Sequence, residues 1–192
     1  MSIIPEYLMS EVEEYFSASP YNIENPKIII DIGSNIGAFA IRAHKEWPNA
    51  LIYCYEPFHK NIVELERNLS SIPCKIEPFA VGRKTEGRRF YIGDMSVTGG
   101  FYKNERNTDD VILVPCISAS LLPEAEVIKI DTEGAEIEIL RSINLNSTQL
   151  LMVEYHSEVD RKEMESILES QFYKILHNEN TVSVGTMVFR RK

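Results

Sequence analysis

The chain has 192 residues and a mass of 22.0 kDa, with 44% hydrophobic and 26% charged residues, which describes one globular domain with a substantial core and excludes a disordered or fibrous protein. Its 20 Lys and Arg against 29 Asp and Glu give a net charge of −9 and a pI near 5.0, so the long-range field repels a nucleic-acid backbone and no nucleic-acid partner is expected. No run approaches the roughly 18 to 20 apolar residues that span a bilayer, and Met1-Ser2-Ile3-Ile4-Pro5-Glu6 lacks the layout of a secretory signal, so a cytoplasmic protein is expected.

Residues 1–26 read as a helix from about Ile4 to Phe16 and a lead-in framed by Pro20 and Pro26. Short β-branched runs then predict strands at Lys27 to Ile32, Ala50 to Tyr55, Lys75 to Phe79, Val127 to Ile130 and Leu150 to Tyr155. Helical spacing fills several of the intervals: Ala38 to Trp47 stops at Pro48, Pro57 to Leu69 presents Ile62, Leu65 and Leu69, and Glu136 to Ile143 presents Ile137 and Leu140. Near-continuous apolar strands alternating with helices imply a parallel sheet covered on both faces. Residues 81–120 are too long for an ordinary crossover and hold two further strand-like runs, Arg88 to Ile92 and Val111 to Ile117, around a polar loop from Gly93 to Asp110. Phe172 to Leu176, the turn His177-Asn178-Glu179-Asn180 and Val182 to Arg190 read as a hairpin, so an antiparallel strand closes the sheet. No repeat or low-complexity linker divides the chain, and one domain over 1–192 is expected.

The first strand runs into Asp31-Ile32-Gly33-Ser34-Asn35-Ile36-Gly37, and a helix follows at once. Glycines there let the chain turn tightly and let a ligand approach backbone N–H groups at a helix N-terminus. Glu56, followed by Pro57, closes the next strand 23 positions after Gly33, where a carboxylate can accept both hydroxyls of a ribose. A nicotinamide cofactor wants a middle glycine to clear space for a pyrophosphate, and here that place is Asn35. Asp31 would likewise repel a pyrophosphate and attract an ammonium. S-adenosylmethionine has a ribose, an ammonium and no phosphate.

The third feature, Lys129-Ile130-Asp131-Thr132-Glu133-Gly134-Ala135-Glu136, again ends a strand in acids and a glycine before a helix. Glu133 and Glu136 have a purely structural reading, favouring the helix N-terminus through its dipole. Glu154-Tyr155-His156 ends the next strand with a carboxylate and an imidazole. Of His44, His59, His156 and His177, only His156 falls at a ligand-facing strand end, which makes it a candidate general base or else a structural histidine. Cys54, Cys74 and Cys116 have no partner at metal-ligand spacing and read as buried, inert thiols. The basic runs from Arg83 to Arg89 and Arg190-Arg191-Lys192 read as solvated turn and tail charges, with a small anion patch as the alternative.

Taken in order from about residue 27 to residue 157, these motifs resemble the signature series of FkbM-type methyltransferases, with Lys129-Ile130-Asp131-Thr132-Glu133-Gly134-Ala135-Glu136 the most specific block. The resemblance implies the Rossmann-like class I methyltransferase fold, a seven-stranded sheet with its last strand antiparallel, here with extra strands inserted between strands 3 and 4. It also implies S-adenosylmethionine as donor and a hydroxyl on a sugar, polyketide or other small molecule as acceptor. Carried over by position, Asp31, Gly33, Asn35, Glu56 and the backbone near Ala80 would hold the cofactor, with Asp131 at the methyl. Ser34, Gly37 and Pro57 belong to the same two turns. His156 would be the base, oriented by Glu154 or Glu133, and Tyr102, Lys103 and Arg106 would recognise the acceptor. A divalent ion on the same oxygens is an alternative, but no metal ligand is assigned. The chain is shorter than many relatives, so a substrate-capping segment is either reduced or supplied by another subunit of a homo-oligomer. A non-catalytic S-adenosylmethionine-binding scaffold and a nicotinamide-dependent oxidoreductase are the alternative functions.

Overall fold

A computed structural model describes residues 4–19, 21–93, 99–101, 107–179 and 184–192. Seven strands form the main sheet: β1 (Ile28–Ile32), β2 (Leu51–Tyr55), β3 (Cys74–Glu77), β7 (Val127–Ile130), β8 (Leu150–Tyr155), β9 (Phe172–Glu179) and β10 (Gly185–Arg191), in the order β3-β2-β1-β7-β8-β10-β9. All pairings are parallel except those of β10, which runs antiparallel to both β8 and β9. The last strand is therefore antiparallel as expected, but it does not close the sheet. It inserts between β8 and β9 because Gly185–Phe189 are buried throughout, whereas β9 is largely open to solvent along Tyr173–Ile175 and makes the edge.

Strand alternation sorts the core into two layers. Ile29, Ile52, Val127, Met152 and Val188 pack against α1 (Glu6–Tyr15), α2 (Ala38–Glu46) and α3 (His59–Asn68) on one face. Ile30, Ile128, Leu151, Val153 and Met187 pack against α4 (Glu136–Leu140) and α5 (Glu158–Leu168) on the other. The helix α5 has no counterpart among the elements predicted above. Only Met164 and Leu168 of its eleven residues are buried, so its apolar stripe is too thin to register as a period, although Ser157 caps it by accepting from the Asp160 N–H.

The insertion after β3 forms its own sheet, β4-β6-β5, from β4 (Ala80–Gly82), β5 (Glu86–Gly93) and β6 (Asn107–Ser118). Val81, Phe90, Val114 and Cys116 join the core beneath it. The two basic runs are not all solvated: Arg88 pairs with Glu138 and lies 3.7 Å over the Phe101 ring, and Arg191 of β10 donates to the Thr148 carbonyl at 2.6 Å. Cys54 and Cys116 are buried free thiols; Cys74 is only half-buried. Tyr102, Lys103, Arg106 and the hairpin turn at Asn180 lie outside the described residues.

Candidate functional site

The sheet's connections diverge between β1, which leads to β2 and β3, and β7, which leads to β8, β10 and β9. At such a switch point the loops leave to opposite sides and open a crevice beyond the carboxyl ends of the strands. A cavity of about 370 Å³ lies there.

The β1 turn is shaped by one backbone contact. Gly33 has φ +78°, and a Cβ at that position would stand 1.7 Å from the Asp131 carbonyl of the neighbouring β7 end. Only glycine lets the two strand ends lie so close. Asn35 follows at φ +49°, a conformation asparagine tolerates, and its N–H donates to Glu56 at 2.9 Å. The second oxygen of Glu56 accepts from the Phe58 N–H at 2.9 Å and from Asn61 at 3.4 Å. Glu56 is buried, and burial pushes its carboxyl up to about 7 against the backbone donors. Asn35 Oδ1 is buried on the cavity wall without a partner.

Lys129 anchors the next tier. Its ammonium is buried in the middle of the sheet, donates to the Gly33 carbonyl at 2.7 Å, and stands 3.1 Å from Asp131 and 3.4 Å from Asp31. Burial opposes the charge, but Asp131 and Asp31 hold the lysine protonated well above its ordinary range. Burial raises Asp31 in spite of Lys129, while at Asp131 burial, the largest influence, is outweighed by Lys129, Glu154 and His156 together, which hold the carboxyl below its usual range. Asp31 is fully buried and is not among the cavity-lining residues. Its carboxylate pairs with the buried lysine at 3.4 Å, and neither of its oxygens has a hydrogen-bond partner among the described residues. Lys129 itself received no role from the sequence, although a lone charge inside the apolar run Val127–Ile130 was the available signal.

The third tier surrounds His156. Its Nδ1 lies 3.8 Å from Glu133, and its Nε2 lies 3.6 Å from Glu136 and 3.7 Å from Glu154. Burial disfavours the imidazolium, yet Glu136, Glu154 and Glu133 raise the imidazole to about 10. The three carboxylate neighbours favour the imidazolium, a form suited more to holding negative charge than to taking a proton. Glu154 is pushed well above the usual range by burial and by Asp131, which makes it the protonated member of that pair. Glu136 is an architectural residue: its carboxylate accepts from the Thr132 N–H at 2.8 Å, the Thr132 hydroxyl at 3.0 Å and the Gly134 N–H at 3.0 Å, folding the turn that holds Glu133 at φ +58°.

Of the expected cofactor residues, Gly33, Ser34, Asn35, Glu56, Pro57, Ala80 and Asp131 line the cavity, as do Glu133, Glu154 and His156 of the expected catalytic set. Gly37 does not; it caps α2 at φ +94°, and a Cβ there would meet Leu65 at 2.9 Å. Asp131, Glu154 and His156 each offer one ligand atom, all within 4.8 Å of one another, so a divalent ion could bind if the imidazolium first lost its proton. Sequence reading missed the contribution of α1: Leu8, Val12 and Tyr15 wall the cavity from above.

Residues 31–175 match the family described as the Methyltransferase FkbM domain. Among characterised proteins, the chain is 27% identical over 159 residues to Hexuronic acid methyltransferase AglP of Haloferax volcanii, covering 76% of this chain and 62% of that protein. It also matches the AMB antimetabolite synthetase AmbE of Pseudomonas aeruginosa, 27% identical over 56% of this chain and 5% of that protein. The crystal structure of Methyltransferase FkbM from Methylobacillus flagellatus KT superposes with a TM-score of 0.66 at 14% identity, over 93% of this chain and 47% of that one. Magnesium protoporphyrin IX methyltransferase (ChlM) from Synechocystis PCC 6803, with bound SAM, gives a TM-score of 0.53 at 10% identity, over 97% of this chain and 78% of that one. The chain thus spans less than two thirds of AglP and under half of the FkbM structure. At these identities the structural likeness establishes the fold, that of class I methyltransferases.

Proposed function

Because the chain belongs to the FkbM methyltransferase family, we propose that it transfers a methyl group from S-adenosylmethionine to a hydroxyl oxygen of a sugar or similar small molecule. The observation that carries this reading is one continuous cavity running from Glu56 and Asn35, which suit a ribose, to Asp131 and Glu154, which suit a hydroxyl. The unpartnered Asn35 Oδ1 and the Glu56 carboxyl fit a donor with hydroxyl and amine hydrogens and disfavour a pyrophosphate at the turn. S-adenosylmethionine supplies an activated methyl on a sulfonium sulfur, displaced in line by the acceptor oxygen.

The chain's own part is alignment, exclusion of water and disposal of the proton. Asp131, kept ionised by Lys129, takes the hydroxyl proton, while protonated Glu154 and the His156 imidazolium hold it in place. The acceptor class follows from AglP, named as a hexuronic acid methyltransferase. Four carboxyl groups in the tier around His156 disfavour an acceptor carboxylate at the reactive spot, which favours a hydroxyl.

Calorimetric titration with S-adenosylhomocysteine and with NAD, followed by a labelled-methyl screen on uronic acids and hexoses, tests the reading. Binding of the first ligand alone and label on a sugar oxygen are expected. Binding of NAD, or donor binding without transfer by wild type to any sugar, overturns it, the latter in favour of a non-catalytic binding protein.

A further inference from the structure

Alternation along the strands puts Asp31, Lys129 and Glu154 on the sheet face that α1 covers, one step beyond the apolar residues Ile29, Val127 and Met152. Thr186 of β10 stands directly opposite Glu154 in the antiparallel register and shares that face. It is 3% exposed, its hydroxyl has no hydrogen-bond partner among the described residues, and it lines the cavity. Tyr15, at the end of α1, repeats the pattern: 3% exposed, hydroxyl unpartnered, cavity-lining. Its ring is fixed edge-on against Phe39 at 6.2 Å, and its carbonyl accepts from the Tyr21 hydroxyl, so the side chain is held in one direction.

Buried hydroxyls without partners are rare because each forfeits its hydration. Two of them on the same cavity, one from each flank of the family-matched segment 31–175, call for a ligand that supplies the missing hydrogen bonds. At Thr186 that ligand is not the donor's nucleoside end. Glu56 closes β2, and four inter-strand steps of about 4.8 Å, some 19 Å in all, separate β2 from β10. A donor seated on Glu56 and the Gly33 turn lies over β1 and β7, leaving the β8 and β10 end for the second substrate.

We propose that Tyr15 and Thr186 form a subsite that hydrogen-bonds the hydroxyl groups of a neutral or uronic sugar acceptor beside Glu154. The inference rests on the methyl-transfer reading for the seat of the donor and for the sugar class of the acceptor. Neither hydroxyl carries charge, so the subsite adds hydrogen-bond capacity to an acidic tier without adding repulsion. An acceptor with several adjacent hydroxyls can donate to one and accept from the other.

Saturation-transfer NMR and competition on protein loaded with S-adenosylhomocysteine, using D-glucuronate and D-glucose as probes, gives sugar affinity without turnover. Tyr15→Phe and Thr186→Val are each expected to weaken sugar binding about three- to tenfold. Affinity for S-adenosylhomocysteine should stay unchanged and the melting temperature should hold or rise, because each change removes an unsatisfied buried group. Unchanged sugar affinity in both variants, weakened nucleoside binding, a lowered melting temperature, or no binding of either sugar to wild type each overturns the subsite. Sugar binding with the expected variant pattern but no methyl passed to the sugar would leave the subsite standing and sink the methyl-transfer reading instead.

Discussion

The two ends of the cavity solve the problem of buried carboxylates in opposite ways. At the β1–β2 end one carboxylate, Glu56, is neutralised by backbone donors, the N–H groups of Asn35 and Phe58, and no cation touches it in the contacts described. At the β7–β8 end Asp131, Glu133, Glu136 and Glu154 are balanced by Lys129 and His156. Backbone dipoles are fixed by the fold and leave a carboxylate free to accept further hydrogen bonds; side-chain cations set which acids keep their protons. The first arrangement suits holding a ligand, the second suits managing a proton.

The contrast is broken most severely at Lys129. Replacing it with Met keeps the shape but leaves Asp31 and Asp131 buried without their cation, which should cost about 3–5 kcal/mol of unfolding free energy in urea titrations. A loss below 1 kcal/mol would mean that the lysine is incidental to the acid tier. At the other end Glu56→Ala should leave the fold largely intact and weaken donor binding by roughly 2–4 kcal/mol, or about 30- to 1,000-fold in Kd by calorimetry. An unchanged Kd removes Glu56 from the donor site.

The smallest effect separates the two ends by pH. Glu56 titrates at about 7 in the folded chain, above its ordinary value of 4.5, so it is protonated below that point and its proton must leave before it can accept from a ribose. Donor affinity should rise about fivefold from pH 6 to pH 7, about tenfold from pH 6 to pH 8, and flatten above that. The same raised value makes ionisation unfavourable to folding, so stability contributed at this residue falls as pH climbs from 4.5 to about 7. His156, at about 10, keeps its charge across that whole range, so an inflection in donor affinity near pH 10 instead of near 7 would assign the effect to the wrong end of the cavity.

Much of the β1–β2 end was legible because it is written in local spacing. Gly33, Asn35 and Glu56 are each required by the conformation or contacts of their own turn, and a turn of few residues leaves its mark in sequence order. The strands β1, β2, β7 and β8 were legible for the same reason, being unbroken apolar runs. The acid tier was legible only as a set of residues. Whether His156 is a base or a cation depends on Glu133 and Glu136, twenty and more positions away, and on burial that no local pattern encodes. The pairing of Asp31 with Lys129, 98 residues later, was not legible because it exists only once β1 and β7 lie side by side. The walls contributed by α1 and β10 are long-range too, and so were invisible.

One close approach reaches beyond the cavity. A Cβ on Gly100 would stand 2.7 Å from the Glu133 carbonyl, so the inserted sheet rests directly on the main chain of the turn that carries the acid tier. Exchanging the insertion for another of similar length would therefore demand a residue without a side chain at this one spot. The insertion and the turn form a single interlocking part, and a library that recombines them independently should discard nearly every member lacking that glycine.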